Sequence, residues 1–575
     1  MSLQRSAWVI FLGCLLSPSA RAAETDPLKL VPAEADLVLK IEQPRKLVET
    51  ITKLDALKAL YQFEPFREVM ESTSVKRFFQ VVKYYERELG TDWANILDQV
   101  AGRGIVVAIR YGTYDGDYPA MLVMQGRDPD AVQKFGKLIV SVIEQEIARD
   151  DNAPKIERKA HRGADVVKFS SNFYLAIAGD SIIVTSQPKA MERVLEMRET
   201  GGASIADNAS LQAAKKLHAK DPLAWLWYNF EPVKQSQMAK DLFAQPRNDT
   251  VLTIIGSAVI DVFKRSPFVS AGLYSSPEGI KLAMRLPAGM NGRAEETAIH
   301  LPPDGKSGTL PLLEPKGVIL SHSFYFDFGA LWDKREKVFN AETAAGFGEL
   351  DAMASRFLLG TSVPKLFQQS GPYHRFMIVT PIQTEYKIVP KLKTGQFAFV
   401  TSMRDPNQGR MLATFIRGGV LLAAQQFKLK LVEFQHNGTK VVGYKFPEDG
   451  KLPEDTENIR FNFTPCFAIV NDQFITASTF ELGRELIDLV KKEGKAPLSS
   501  SNMRMRLYAE GQADQFAVDP DQLLAQTILS QGVPVEEAKA QIQKLIAYLR
   551  TLGWIGIEYD YQPEYFEFAI QWKHK

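Results

Sequence analysis

Two stretches of this chain, LGTDWANILDQVAG at 89–102 and LGTSVPKLFQQSG at 359–371, are written on one plan 270 residues apart. Each opens Leu-Gly-Thr, runs through a short helix-like segment and stops at Gly. Each then leads into an apolar strand, GIVVAIR (104–110) or RFMIVT (375–380). Further punctuation follows in the same order. PAMLVMQGRDPDAV (119–132) and GQFAFVTSMRDPNQG (395–409) each carry a strand into Arg-Asp-Pro, offset by 277, and ADVVKF (164–169) and VVGYKF (441–446) keep that offset. FYLAIAGDSIIVTS (173–186) and CFAIVNDQFITAS (466–478) each turn between two strands, at Gly-Asp and Asn-Asp, with the offset grown to 292. FVSAGLYSSPEGIKLAMRL (268–286) and WIGIEYDYQPEYFEFAIQW (554–572) close each stretch with a hairpin turning at Pro-Glu, offset by 286. A generic mixture of strands and helices does not repeat its punctuation at so steady a spacing, so the chain reads as one fold written twice.

The elements of one unit follow from the turn chemistry. Asp before Pro is a helix entry, because the carboxylate accepts from exposed N–H groups and Pro suits the first turn. Two-residue Gly-Asp and Asn-Asp turns join adjacent antiparallel strands. Hairpins therefore dominate the connections, which predicts an α+β fold: a largely antiparallel sheet in each unit with helices mainly on one face. The alternation in YFEFAIQW (565–572) fits a sheet with one wet face. VEEAKAQIQKLIAYLRTLG (535–553) places Ala538, Ile542, Leu545, Ile546 and Leu549 on one side, the stripe of a core-facing helix. The boundaries predicted are a signal peptide at 1–22, a first unit at 27–286, a Pro- and Gly-rich linker at 287–311 and a second unit at 312–575.

The signal peptide rests on three features. MSLQR supplies a basic start, AWVIFLGCLLS (7–17) is an apolar core too short to span a bilayer, and Ala20 and Ala22 occupy the −3 and −1 positions of a cleavage site after Ala22. Export to the periplasm or the extracellular medium is the expectation. FLGC (11–14) offers a lipoprotein reading through Cys14, but Phe11 and Leu12 fit a lipobox poorly and a better cleavage site follows. No later run of 18 apolar residues suggests a membrane span. From Ala23 onward, loss of Arg5 and Arg21 turns the net charge of +1 into −1, a balance that gives nucleic acid no concentrated basic surface. The same segment keeps one cysteine, Cys466, which cannot form an internal disulfide and reads as a small buried apolar side chain.

The order PAEADLVLKI, long helices, LGTDWANILDQVAG, GIVVAI, MLVMQGRDPDAVQKF and YLAIAGDSIIVTSQPKAMERVLE resembles the bacterial family called domain of unknown function 3352. The resemblance is best over about 31–230 and weaker over 313–510. It implies an exported protein, and it brings no catalytic residues to carry over.

Motifs for chemistry are sparse. No two of the seven histidines lie within five residues of each other, so no short-range metal pair exists. DGKSG (304–308) imitates the end of a P-loop but has His300 where the first glycine belongs. YGTYDGDYP (111–119) is acidic without the terminal Glu of an EF-hand. Cofactors and metals are therefore not expected, and catalytic residues are not assigned. Trp225 and Trp227 alternate in one strand and share a face, either as core packing or as a ligand platform. Three functions stay open: a non-catalytic binding or scaffolding protein of the cell envelope, a periplasmic carrier of a lipid or other apolar ligand, and a hydrolase whose residues converge from afar. The carrier predicts a continuous apolar cavity of several hundred Å3. The hydrolase predicts a buried titratable cluster in a cleft.

Overall fold

The computed structural model describes residues 26–574, except 112–118, 150–154, 219–220, 245–248, 278, 304–307, 356–361, 406, 415, 418–428, 450–453, 495–497 and 500. The signal peptide with Cys14 and Ala22, the acidic loop after Tyr111, most of DGKSG and the second Leu-Gly-Thr lie outside the described residues. The fold is α+β, and among the described residues every strand pairing is antiparallel. The chain forms two compact units, one from residues up to Ile51 plus Glu71–Tyr228, the other from Thr52–Met70 plus Asn229–Lys575.

The first unit contains β1 (Leu37–Ile41), β2 (Gly104–Ile109), β3 (Ala120–Gln125), β4 (Glu157–His161), β5 (Ala164–Ser170), β6 (Phe173–Ala178), β7 (Ser181–Thr185) and β8 (Ala224–Asn229). They pair in the order β8-β1-β2-β3-β7-β6-β5-β4. Helix Trp93–Ala101 starts where Asp92 Oδ1 accepts from the Asn95 N–H at 2.8 Å. Helix Pro129–Ile147 starts where Asp128 accepts from Asp130 and Ala131. Its Val132, Phe135 and Val140 bury against Val167, Phe169, Leu175, Ile177 and Ile182 of the sheet. Gly136 permits that approach, because a Cβ there would meet the Ile177 side chain at 2.9 Å.

The second unit contains β9 (Phe268–Ser276), β10 (Gly279–Leu286), β11 (Val318–Tyr325), β12 (Ser370–Val379), β13 (Gln396–Met403), β14 (Lys430–His436), β15 (Thr439–Lys445), β16 (Cys466–Val470), β17 (Gln473–Ala477), β18 (Met503–Tyr508), β19 (Trp554–Tyr561) and β20 (Phe566–Lys573). The order β18-β11-β12-β13-β17-β16-β15-β14 repeats that of β8 to β4 strand for strand. It continues from β18 through β19, β20, β10 and β9. Matching turns hold matching hairpins: Arg162-Gly163 between β4 and β5 and Asn437-Gly438 between β14 and β15 all take positive φ.

The compact division falls at Tyr228, ahead of the 287–311 linker. The hairpin β9–β10, read from the sequence as the end of the first unit, packs with the second. Its outer strand β10 pairs with β20 from Ile280↔Trp572 to Leu286↔Phe566. Two hairpins that each present a free edge satisfy their N–H and C=O groups by joining. On one face of β12, β13 and β15–β17, helix Phe480–Glu493 buries Leu482, Leu486, Ile487 and Val490 against Met377, Val400, Val441, Ala468 and Ile475. Cys466 lies in this cluster, and its thiol donates weakly to the Thr479 carbonyl at 3.4 Å.

Candidate functional site: an open apolar sheet face

Alternation along a strand sends every second side chain to the same face. On the face opposite helix Phe480–Glu493, the register of seven strands lines up apolar residues in rungs. In one rung Leu282 (β10) faces Ile570 (β20), which faces Ile557 (β19), Met505 (β18), His322 (β11), Phe376 (β12) and Phe399 (β13) in turn. In the next, Ile280 leads through Trp572, Ile555, Leu507, Leu320 and Ile378 to Phe397. Seven strands span roughly 30 Å at the usual spacing between neighbours.

Helices close this face only around its margins. Helix Thr250–Arg265 packs Val259 and Phe263 with Met284, Tyr559 and Phe568, the adjoining rung at the β10 end. At the β13 end Phe328 of helix Phe328–Val338 meets His374 edge to face at 5.2 Å, and His374 stacks on Phe399. Beyond β13, Leu412, Ala413 and Ile416 cover Val442, Phe467 and Phe474. Between these helices the two rungs stay open: Leu282, Leu507, Ile555, Ile570 and Phe397 are 44%, 41%, 45%, 36% and 50% exposed.

The polar alternates of the same strands are the more sheltered. Glu567 is paired with Lys281 at 2.7 Å and with Arg285 at 2.6 Å, and its side chain is 16% exposed, beside a buried Ala569. Arg504 pairs with Glu558, and Arg506 pairs with Glu314 and lies 4.3 Å over the Trp554 ring. The expected alternation is present in YFEFAIQW, and its apolar row runs from a buried Phe566 and a packed Phe568 to an exposed Ile570. Ion pairs satisfy the charged row, whereas among the described residues no helix covers Leu507, Ile555 or Ile570.

The open face is also uncharged at neutral pH. His322 stacks on Phe324 at 4.7 Å, and burial lowers its pKa to about 4. His374 sits fully buried beneath the adjoining rung. Its Nε2 donates to the Phe326 carbonyl at 2.9 Å, its Nδ1 accepts from Thr401 Oγ1 at 2.8 Å, and burial holds its pKa near 4.

The tryptophans named from the sequence lie in β8 of the first unit, and both are enclosed. Trp225 donates to Glu42 Oε1 at 2.6 Å, with Lys215 Nζ 5.4 Å from its ring centre, and Trp227 donates to Ser210 Oγ at 3.3 Å. They are 4% and 1% exposed, so neither indole presents a face to solvent. A cleft of about 360 Å3 in the first unit has Ala35, Ile109 and Met121 in its walls and Arg110, Lys189 and Arg193 among its lining. A second, of about 380 Å3, lies among Ile382, Tyr386, Val389, Phe461 and Val518 in the second unit. Both open to solvent; the broad apolar surface is a face rather than a chamber. Among the described residues, no group of three or more His, Cys, Asp or Glu side chains could hold a metal ion, and no helix is long and apolar enough to cross a membrane.

No family model matches the chain, and no curated protein matches it. Among solved structures, crystal form IV of TP0453 aligns at 12% identity over 45% of this chain and 80% of that one, with a TM-score of 0.25. Crystal form I of the same protein aligns at 12% over 47% and 82%, with a TM-score of 0.24. Likeness at that level carries no functional argument.

Proposed function

We propose that this chain is an exported, non-catalytic binding protein of the cell envelope, akin to the domain of unknown function 3352 family, and that an apolar helix of an envelope protein docks on the open sheet face. The contiguous uncharged rungs from Leu282 to Phe399 and from Ile280 to Phe397 carry this reading. The occupant follows from how the molecule treats the same face elsewhere: helices cover it at both margins and leave the centre bare. A helix of about 20 residues spans roughly 30 Å, which matches seven strands. Two rungs bury less than the roughly 800 Å2 per partner of a standard interface, so the contact is expected to be reversible. The signal peptide motivates the location.

The test is photo-crosslinking in cells from p-benzoylphenylalanine placed at Leu507. Support is a protein adduct, mapped to an apolar helical segment of its partner, that disappears when Ile555→Lys is added. No adduct, an adduct insensitive to Ile555→Lys, or an adduct made only with lipid refutes the proposal.

A further inference from the structure

In the first unit, helix Thr73–Leu89 is anchored through one part of its length. Val81, Tyr84, Tyr85 and Leu89 join the cluster under helices Trp93–Ala101 and Pro129–Ile147. Its first turns project. The run Lys76-Arg77-Phe78-Phe79-Gln80 is exposed throughout, and the two phenyl rings, 58% and 47% exposed, meet edge to face at 5.5 Å. Adjacent phenylalanines standing in water are costly for a surface that stays wet.

The charge beside them has one sign. Lys76, Gln80, Lys83 and Arg87 recur at helical spacing and form one stripe, and Phe79 borders it. Among the described residues no carboxylate pairs with Lys76, Arg77 or Lys83. The two acids of the helix are engaged at its far end: Glu86 Oε1 accepts from the Trp93 N–H at 2.9 Å, and Glu88 pairs with Arg87 at 3.4 Å. Lys134, from the helix packed alongside, donates to the Glu88 carbonyl and adds a further cation there.

We infer that this projecting basic and aromatic turn docks the protein on an anionic lipid surface. Phosphate headgroups complement Lys76, Arg77 and Lys83, and the two phenyl rings enter the boundary between headgroups and acyl chains. A protein partner would need an acidic groove with two aromatic pockets; a lipid surface supplies both chemistries without a built site. The inference is independent of the sheet face in the other unit.

The test is sedimentation of the exported chain with vesicles of equal parts phosphatidylglycerol and phosphatidylcholine, against pure phosphatidylcholine. Binding to the anionic vesicles alone, weakened by salt, is expected. Lys76→Glu/Arg77→Glu/Lys83→Glu should weaken it by at least about a hundredfold, since each basic residue near such a surface contributes about fivefold. Phe78→Ala/Phe79→Ala should weaken it by about tenfold or more. Phe79→Trp should bind with a blue-shifted emission, which reports insertion in a folded chain. Leu507→Lys on the sheet face should leave vesicle binding intact. Equal binding to neutral vesicles, no binding, variants that bind like the parent, loss of binding in Leu507→Lys, or variants that change only self-association would overturn it.

Discussion

Mild acidification should destabilise the second unit, because three of its histidines are held neutral. His300 is 5% exposed with Nε2 unpartnered, His374 is fully buried, and His322 is stacked against Phe324. Burial lowers each from the usual 6.5 to about 4. Near His374 the carboxylate of Asp327 pulls the other way, but less strongly. A histidine whose folded pKa lies below its unfolded value contributes its full stability above about pH 6.5. That contribution drains away as the pH falls toward 4, because the unfolded chain binds the proton first. The slope is about 1.4 kcal/mol per pH unit for each group. At pH 5 each histidine has surrendered about 2 kcal/mol, and the three together about 6 kcal/mol at most. Glu481 and Asp560 work against this: burial raises both, so they regain stability as they protonate. A net loss of several kcal/mol is large against the roughly 5–15 kcal/mol that holds a typical domain. Guanidinium unfolding at pH 7.5, 6.5, 5.5 and 4.5 reads it directly, with the midpoint falling steeply between the second and fourth points. The double variant His300→Gln/His374→Gln removes two of the three titrations and should flatten that fall by more than half. A midpoint that holds steady or rises from pH 7 to 5, or a double variant with the parent's slope, would refute the reasoning.

Three other outcomes are expected. Arg375 is fully buried, with Nη1 2.7 and 2.9 Å from the Glu493 carboxylate and Nη2 donating to Gln473; Arg375→Met alone should cost about 3–5 kcal/mol. Arg375→Met/Glu493→Leu should recover most of that loss, a double-mutant cycle measured by chemical denaturation. The Cys466 thiol, pushed up to about 12 by burial, should ignore a disulfide reagent at pH 8 in the folded chain and react promptly once the chain is denatured. Gly443→Ala places a Cβ 2.3 Å from a Phe480 ring carbon and 2.7 Å from the Pro465 carbonyl oxygen, and should lower stability by about 1–3 kcal/mol without touching the open face.

The hairpins were legible because their turns are local chemistry. Asn437-Gly438 needs positive φ at both positions whatever surrounds it, and Asp128-Pro129 starts a helix for reasons carried within two residues. Long helices were less so. The stretches 44–62 and 64–88 read as helical without showing where the helices divide, and the structure makes four, with Leu54 extended between two of them and Ser72 capping the last. Uniform amphipathy hides such breaks. The open face was missed for a different reason. Alternation in WIGIEYDY or YFEFAIQW shows that two faces differ, but which face receives a helix is decided by segments hundreds of residues away. The ion pairs from Glu567 to Lys281 and Arg285 illustrate it: the acidic residue alone gives no sign of partners in β10 that shelter it. The tryptophans were visible as a pair on one face, whereas Glu42 and Ser210, which occupy their indole N–H groups, come from other elements.

The pairing of β10 with β20 sets the order in which the chain can finish folding. Lys281 and Glu567 meet across 286 residues. Among the described residues, strands β1 to β8 pair only with one another, and the last of them ends at Asn229, long before β20 is made. Hairpin β9–β10 then waits with a bare edge through the nearly 280 residues that precede β20. During that interval it is the segment most open to pairing with the wrong strand, including β20 of another copy, which would yield a strand-exchanged dimer. Deleting Phe566–Lys573 would remove the strand that covers this edge of β10 and prolong its exposure.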